Sequence, residues 1–206
     1  MLDQLLGESP LARRAQSLAA RVLHRCGVSA NLATALAAAS GVGAGGAFFA
    51  GRLGLGLALL AISAGLDAID GTMAREFGGA TPLGGVFDLT ADRVVETAVI
   101  VGIAWHMPEL WRPALLLVAS WYVNITIFLA VGAALERRGP KIIDYPPGIL
   151  ERTEALIFFA VLAIVASFTW LNPAGPVLCY LMTALELVTG AQRLIFGRGQ
   201  LLKAAP

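Results

Sequence analysis

The chain has 206 residues, of which 57% are hydrophobic and 14% charged, with a formal net charge of +1. A soluble globule carries about a quarter charged residues, so this composition, with a mean hydropathy of +0.75, excludes an ordinary water-soluble domain, and the near-zero net charge gives no footing to a nucleic-acid partner. Cys26 and Cys179 stand alone in distant segments, too few and too far apart for a disulfide framework or a zinc site.

Residues 1–25 are charged throughout and lack the short apolar core of a cleavable signal peptide. Within them, residues 11–25 place Leu11, Leu18 and Val22 on one stripe and arginines on much of the rest. The pattern predicts an amphipathic helix lying on an anionic leaflet, or else an ordinary solvated helix. Six apolar stretches follow, roughly 32–50, 53–72, 85–105, 112–135, 154–170 and 174–196, each near the length that crosses a bilayer. The fifth is short, but its helix can begin near Ile149. The expected fold is an all-α integral membrane protein: a six-transmembrane-helix bundle over residues 31–206, preceded by an N-terminal juxtamembrane helix within residues 1–30. Span one contains Gly41-x3-Gly45, a spacing that lets helices approach closely inside the bundle.

Short connectors at Gly51-Arg52, 106–111 and 171–173 alternate with longer polar ones at 73–84 and 136–152. With this topology twelve of the fifteen basic residues fall on one side, Arg52 and Arg112 on the other, and Arg93 inside a helix. The asymmetry predicts both termini and both long connectors in the cytoplasm, hence a multi-pass protein of the cell (inner) membrane. Trp105, Trp111 and Trp170 read as interfacial belt residues. His24 and His106 carry no argument.

Four aspartates punctuate this lipid-like chain in the run Asp67-x2-Asp70-Gly71-x2-Ala74-Arg75-x8-Gly84-x3-Asp88-x3-Asp92. Spacings of three and four put each aspartate pair on one helix face. The first pair closes span two and the second opens span three, so antiparallel neighbours bring both to one level on the cytoplasmic side. Carboxylates near hydrocarbon are costly unless paired or bound to a cation, and four of them suit one or two hard divalent cations, Mg²⁺ or Mn²⁺. Arg75 beside such a cage implies a phosphate-bearing substrate, since magnesium takes remaining ligands from phosphates and arginine grips them bidentately. Gly71, Ala74 and Gly84 keep the adjoining walls low. Asp92, nearest the bundle interior, is the natural general base for an acceptor hydroxyl positioned by the site. Singly, these acids could be helix-end residues paired with Arg75 and Arg93; eight fixed positions together make the functional reading the stronger one.

The run resembles the signature of the CDP-alcohol phosphatidyltransferases at every fixed position, and the order and number of spans match as well. The resemblance implies an enzyme of phospholipid biosynthesis that transfers a phosphatidyl group from CDP-diacylglycerol to an alcohol and releases CMP. It implies a two-metal site held by Asp67, Asp70, Asp88 and Asp92, with Asp92 also the proton acceptor. Gly71, Arg75 and Thr81 would touch the CDP-lipid, with Ala74 and Gly84 in the same wall. Ser29-Ala30-Asn31-Leu32-Ala33-Thr34 looks like the family's T-P-N-x-x-T entry segment, which would place Asn31 and Thr34 at the CDP-lipid, with Ala30 where proline is usual. Ser29 or Asn31 also reads as a helix N-cap. Family members are often homodimers that contact membrane lipid, which is the expectation here.

For the acceptor, Glu151-Arg152-Thr153-Glu154 and Gln192-Arg193-Leu194 look like motifs of the phosphatidylinositol-phosphate synthase branch, putting Arg152 and Arg193 at the acceptor. Ala155, Gly132 and Ala134 stand where that branch carries further cations. Either Arg137, Arg138 or Lys141 substitutes for them, or the acceptor carries less negative charge. A polyol or polyol phosphate, such as inositol phosphate or glycerol phosphate, is the leading expectation, with an amino alcohol or a lipid as alternatives. Glu186, read as the one intramembrane acid outside the motif, either lines the acceptor cavity or pairs with a neighbouring helix, and Asn124 and Thr126 are satisfied within the bundle. From other classes, a divalent-cation carrier would place its acids near the midplane, and an inactive scaffold would not need the carboxylates.

Overall fold

The computed structural model describes residues 9–78, 81–105, 107–136, 152–168 and 173–203, without the side chains at 136, 152 and 203. Every regular element among these residues is helical. In chain order they are α1 (Pro10–Arg25), α2 (Ala30–Phe49), α3 (Leu53–Glu76), α4 (Pro82–Ala104), a 3-10 turn (Pro108–Leu110), α5 (Trp111–Glu136), α6 (Arg152–Ser167) and α7 (Ala174–Lys203). The expectations for His106, Arg137, Arg138, Lys141, Glu151, Trp170 and a helix start near Ile149 lie outside the described residues.

Four segments are long and apolar enough to cross a bilayer: Ala30–Phe49, Leu53–Glu76, Pro108–Leu135 and Ala174–Leu202. This is a multi-pass membrane protein. Helix α4 has 23 residues, but Asp88, Asp92, Arg93 and Glu96 dilute its apolar character. Helix α6 has 16 described residues, a reach of about 24 Å at 1.5 Å per residue, against a hydrocarbon core of about 30 Å.

The helices form two groups. α2 packs most extensively on α3 and α4, while α5 packs on α7; α6 touches both groups. Within the first group the small residues of α2 bring backbones together. A Cβ on Gly45 would collide with the Ala98 carbonyl of α4, and one on Gly102 would collide with the Gly45 carbonyl. Lipid tails are as apolar as leucine, so helix association in a bilayer relies on such close van der Waals packing. The Gly41-x3-Gly45 spacing thus serves α2–α4 contact inside the bundle. Between the groups, Trp121 of α5 meets Phe159 of α6 edge-on at 5.7 Å, amid buried Leu117, Leu162 and Ile100.

Two further details follow from local chemistry. Ser29 caps α2, its Oγ accepting from Leu32 N at 3.2 Å, whereas Asn31 lies within the helix. Helix α1 is capped by Ser9 and seats Ala20 against Ala33 and Met73, while Leu11, Leu18 and Val22 remain exposed. At the opposite end of the bundle Trp105 packs on Phe49 (4.8 Å) and Trp111 (5.9 Å).

The ends of α3 and α4 differ from expectation in one useful respect. Residues 73–84 were expected as a connector, but α3 continues to Glu76 and α4 starts at Pro82. Thr81 ends the connector as an N-cap, its Oγ1 accepting from Gly84 N at 3.0 Å, and Pro82 suits the first helical position because its missing N–H is not needed there. Ala74 and Arg75 consequently stand on a rigid helix, with Gly71, rather than in a loop.

Candidate active site

The antiparallel α3–α4 pair gathers three of the four aspartates. Asp67 and Asp70 from α3 and Asp88 from α4 each offer a carboxylate oxygen, all within 4.8 Å of one another. Asp70 is buried and the other two are half-buried. Oxygens so spaced, drawn from two rigid helices, fit a hard divalent cation, which accepts carboxylate ligands and keeps other positions for water or phosphate. Thr34 on α2 donates from Oγ1 to Asp70 Oδ2 at 2.6 Å, in a buried bond, and the same hydroxyl lies 3.1 Å from the Ala30 carbonyl. This hydrogen bond fixes one carboxylate rotamer of the cluster, as outer partners of metal ligands do.

The wall beside the cluster is low where the sequence indicated. The Arg75 guanidinium folds back toward Gly71, where an added Cβ would lie 3.3 Å from Nη1, and Nη2 donates to Thr72 Oγ1 at 3.2 Å. Arg75 is otherwise exposed. Opposite, a Cβ on Gly84 would meet Thr81 Oγ1 at 3.1 Å and Asn31 Oδ1 at 3.2 Å. Asn31, Thr81 and Gly84 therefore form one polar rim, and Thr34 lies beneath it against Asp70.

Asp92 does not join the group of three. It sits one turn further along α4, and a turn raises the side chain by about 5.4 Å. There it lines a small cavity of about 10 Å³ with Ser63, Glu96 and Ala155, space for about one water. Glu96 and Ala155 also line a larger cavity of about 140 Å³ between the two helix groups, along with Arg93, Asn124, Glu186 and Arg193. The two cavities thus share Glu96 and Ala155 as walls.

The larger cavity is wired by polar bonds. Arg93 Nη1 and Glu96 Oε2 form an ion pair at 2.6 Å. Asn124 Nδ2 donates to Glu186 Oε2, and Arg193 Nη1 donates to Asn124 Oδ1 at 2.9 Å. The Arg193 guanidinium also lies 5.0 Å from the Phe128 ring centroid, a cation–π distance. Glu186 therefore pairs across to α5, the second of the two alternatives for it, and also lines this cavity. Arg193 reaches the cavity; Arg152 heads α6, with its side chain outside the described residues.

The reading of Glu186 as the sole intramembrane acid outside the motif is incorrect, because Glu96 is a second. Its signal was present in the sequence: an Arg and a Glu three apart inside an apolar span form a pair on one helix face.

The signature of the CDP-alcohol phosphatidyltransferases matches residues 28–192. The chain belongs to this family. It is 33% identical over 194 residues to the phosphatidylinositol phosphate synthase of Mycobacterium marinum, covering 92% of this chain and 81% of that protein. Its structure is similar to that of Mycobacterium tuberculosis phosphatidylinositol phosphate synthase with CDP-DAG bound, with a TM-score of 0.72, 30% identity, and coverage of 89% of this chain and 94% of that one. The same mycobacterial enzyme in complex with manganese and citrate gives a TM-score of 0.73 at 30% identity, covering 89% and 88%. As a CDP-alcohol phosphatidyltransferase, the chain is a phospholipid-biosynthesis enzyme, and its aspartate cluster fits a divalent metal.

Proposed function

We propose that this phosphatidyltransferase moves the phosphatidyl group of CDP-diacylglycerol to a hydroxyl of a polyol or polyol phosphate, releasing CMP. The observation that carries the reading is the convergence of Asp67, Asp70 and Asp88 within 4.8 Å, inside the family's motif and beside an arginine. Relatives named for phosphatidylinositol phosphate synthesis, and a similar structure with CDP-DAG bound, support the donor and the acceptor class.

In this reading Asp67, Asp70 and Asp88 hold one divalent ion, Mg²⁺ or Mn²⁺, and Asp92 contributes to a second. When bound, the metal neutralises charge on the pyrophosphate and makes its phosphorus attackable. The remaining work falls to the chain. Arg75, poised over Gly71, binds a phosphate oxygen bidentately, and Asn31, Thr81 and Gly84 border the nucleotide. Thr34 holds Asp70 in place. Arg193 borders the acceptor. Asp92 takes the acceptor hydroxyl's proton; the oxygen forms a bond to the lipid-side phosphorus, and the bond from that phosphorus to the bridging oxygen breaks, leaving CMP.

Residues 31–206 form the six-span catalytic unit of this reading, with α1, in residues 1–30, resting on the leaflet through Leu11, Leu18 and Val22. The basic-residue asymmetry supports cytoplasmic termini and a cytoplasmic site in the cell membrane. The test is CMP release from CDP-diacylglycerol by purified protein with Mn²⁺ and a panel of alcohols. Metal-dependent release that a chelator abolishes supports the reading; release persisting in excess chelator overturns the metal mechanism.

A further inference from the structure

Resting on the reading above, we infer that the acceptor is an uncharged polyol rather than a polyol phosphate, recognised by the charge-balanced cavity between the two helix groups. Among the described residues the cavity presents two cations, Arg93 and Arg193, and two acids, Glu96 and Glu186. These charges answer each other. Arg93 is held by Glu96 at 2.6 Å, and Arg193 is joined to Glu186 through Asn124.

A phosphate here would have to draw an arginine from its present partner and would lie near a carboxylate. Both carry a cost in a site of low dielectric. A bare cationic amine meets the mirror-image problem at the arginines. Hydroxyl groups do not: each donates to a carboxylate oxygen and accepts from a guanidinium or amide N–H, without requiring a change of net charge. Among the described residues the rest of the lining adds no cation: it is Leu89, Trp121, Asn124, Ile125, Phe128 and Ala155.

The cavity's position fits this role. Glu96 lines it and also lines the small cavity of Asp92, so a polyol anchored on the carboxylates can present one hydroxyl toward Asp92 while the others stay bonded. Glu96 and Glu186 thereby become specificity determinants.

The test is the rate of CMP release by the full chain in lipid nanodiscs with CDP-diacylglycerol and Mn²⁺. The acceptors are myo-inositol, inositol 1-phosphate, glycerol, glycerol 3-phosphate and serine. The expected result is a kcat/KM for a neutral polyol about tenfold or more above its phosphorylated counterpart and above serine. Glu186→Gln, which leaves an uncompensated arginine, should shift the preference toward the phosphorylated acceptor by about tenfold, with the KM for CDP-diacylglycerol unmoved. Should that variant not fold, Glu96→Gln gives the same readout. Thermal stabilisation of the CDP-lipid complex by each acceptor supplies a measure independent of turnover. A preference for a phosphorylated acceptor or serine overturns this inference alone, as does an unchanged preference in a folded variant. Absence of CMP release with every acceptor overturns the parent reading, and this one with it.

Discussion

Thr34 and Asp70, thirty-six positions apart in the chain, share a buried hydrogen bond of 2.6 Å that ties α2 to the aspartate cluster of α3. The bond gives the first turns of α2 a mechanical role at the cluster. A hydroxyl donating to a carboxylate stabilises its ionised form and selects one rotamer. Thr34→Val keeps the shape and removes the donor. Apparent Mn²⁺ affinity should fall by roughly 10- to 100-fold, as for other outer partners of metal ligands. Titration of free Mn²⁺ by electron paramagnetic resonance measures this directly, and unaltered affinity would assign Thr34 to packing alone.

Asp92 stands apart from the group of three, so its loss should separate chemistry from metal binding. Asp92→Asn should lower turnover by roughly 10²- to 10⁴-fold, the usual contribution of a positioned base, while the tight Mn²⁺ site persists. Asp70→Asn should lose both. Equal loss of metal in the two variants would put Asp92 among the ligands of the tight site.

Arg75 donates from a fork that lysine cannot reproduce. Arg75→Lys should raise the KM for CDP-diacylglycerol by about tenfold, corresponding to about 1.4 kcal/mol, with Mn²⁺ affinity unchanged. Steady-state kinetics at saturating metal distinguishes this from a general loss of activity.

Close α2–α4 packing makes a structural prediction. Gly102→Ala places a methyl against the Gly45 carbonyl, whereas Gly46→Ala enters open space. Overpacking typically costs about 1–3 kcal/mol, so the first variant should melt several degrees lower in detergent and the second should match the parent. Equal melting temperatures would mean that the two helices can move apart freely.

Much of this arrangement was legible in the sequence because it depends on local spacing. Apolar runs located the helices, and the three- and four-residue spacings put Asp67 with Asp70 and Asp88 with Asp92 on common faces. Ser29 was readable as a cap for the same reason. The unreadable parts depend on axial rise or on partners distant in sequence. The turn between Asp88 and Asp92 keeps them on one face yet takes Asp92 out of the group of three. Helical continuation past residue 72, which carries Arg75 on a rigid element, is hidden by the charged pair Arg75-Glu76 at its end. The Glu186–Asn124–Arg193 chain joins α5 to α7 across more than sixty residues, and no pattern within either helix specifies it. Glu96 was legible as a same-face partner of Arg93, but its place between two cavities required the packing of α6.

The central claim is that acids from α3 and α4 converge on a divalent ion. Anomalous diffraction at the manganese edge, from crystals of the full chain grown with Mn²⁺, tests it most directly. The account predicts a peak bounded by the carboxylates of Asp67, Asp70 and Asp88. No peak among these oxygens at saturating Mn²⁺ would contradict it.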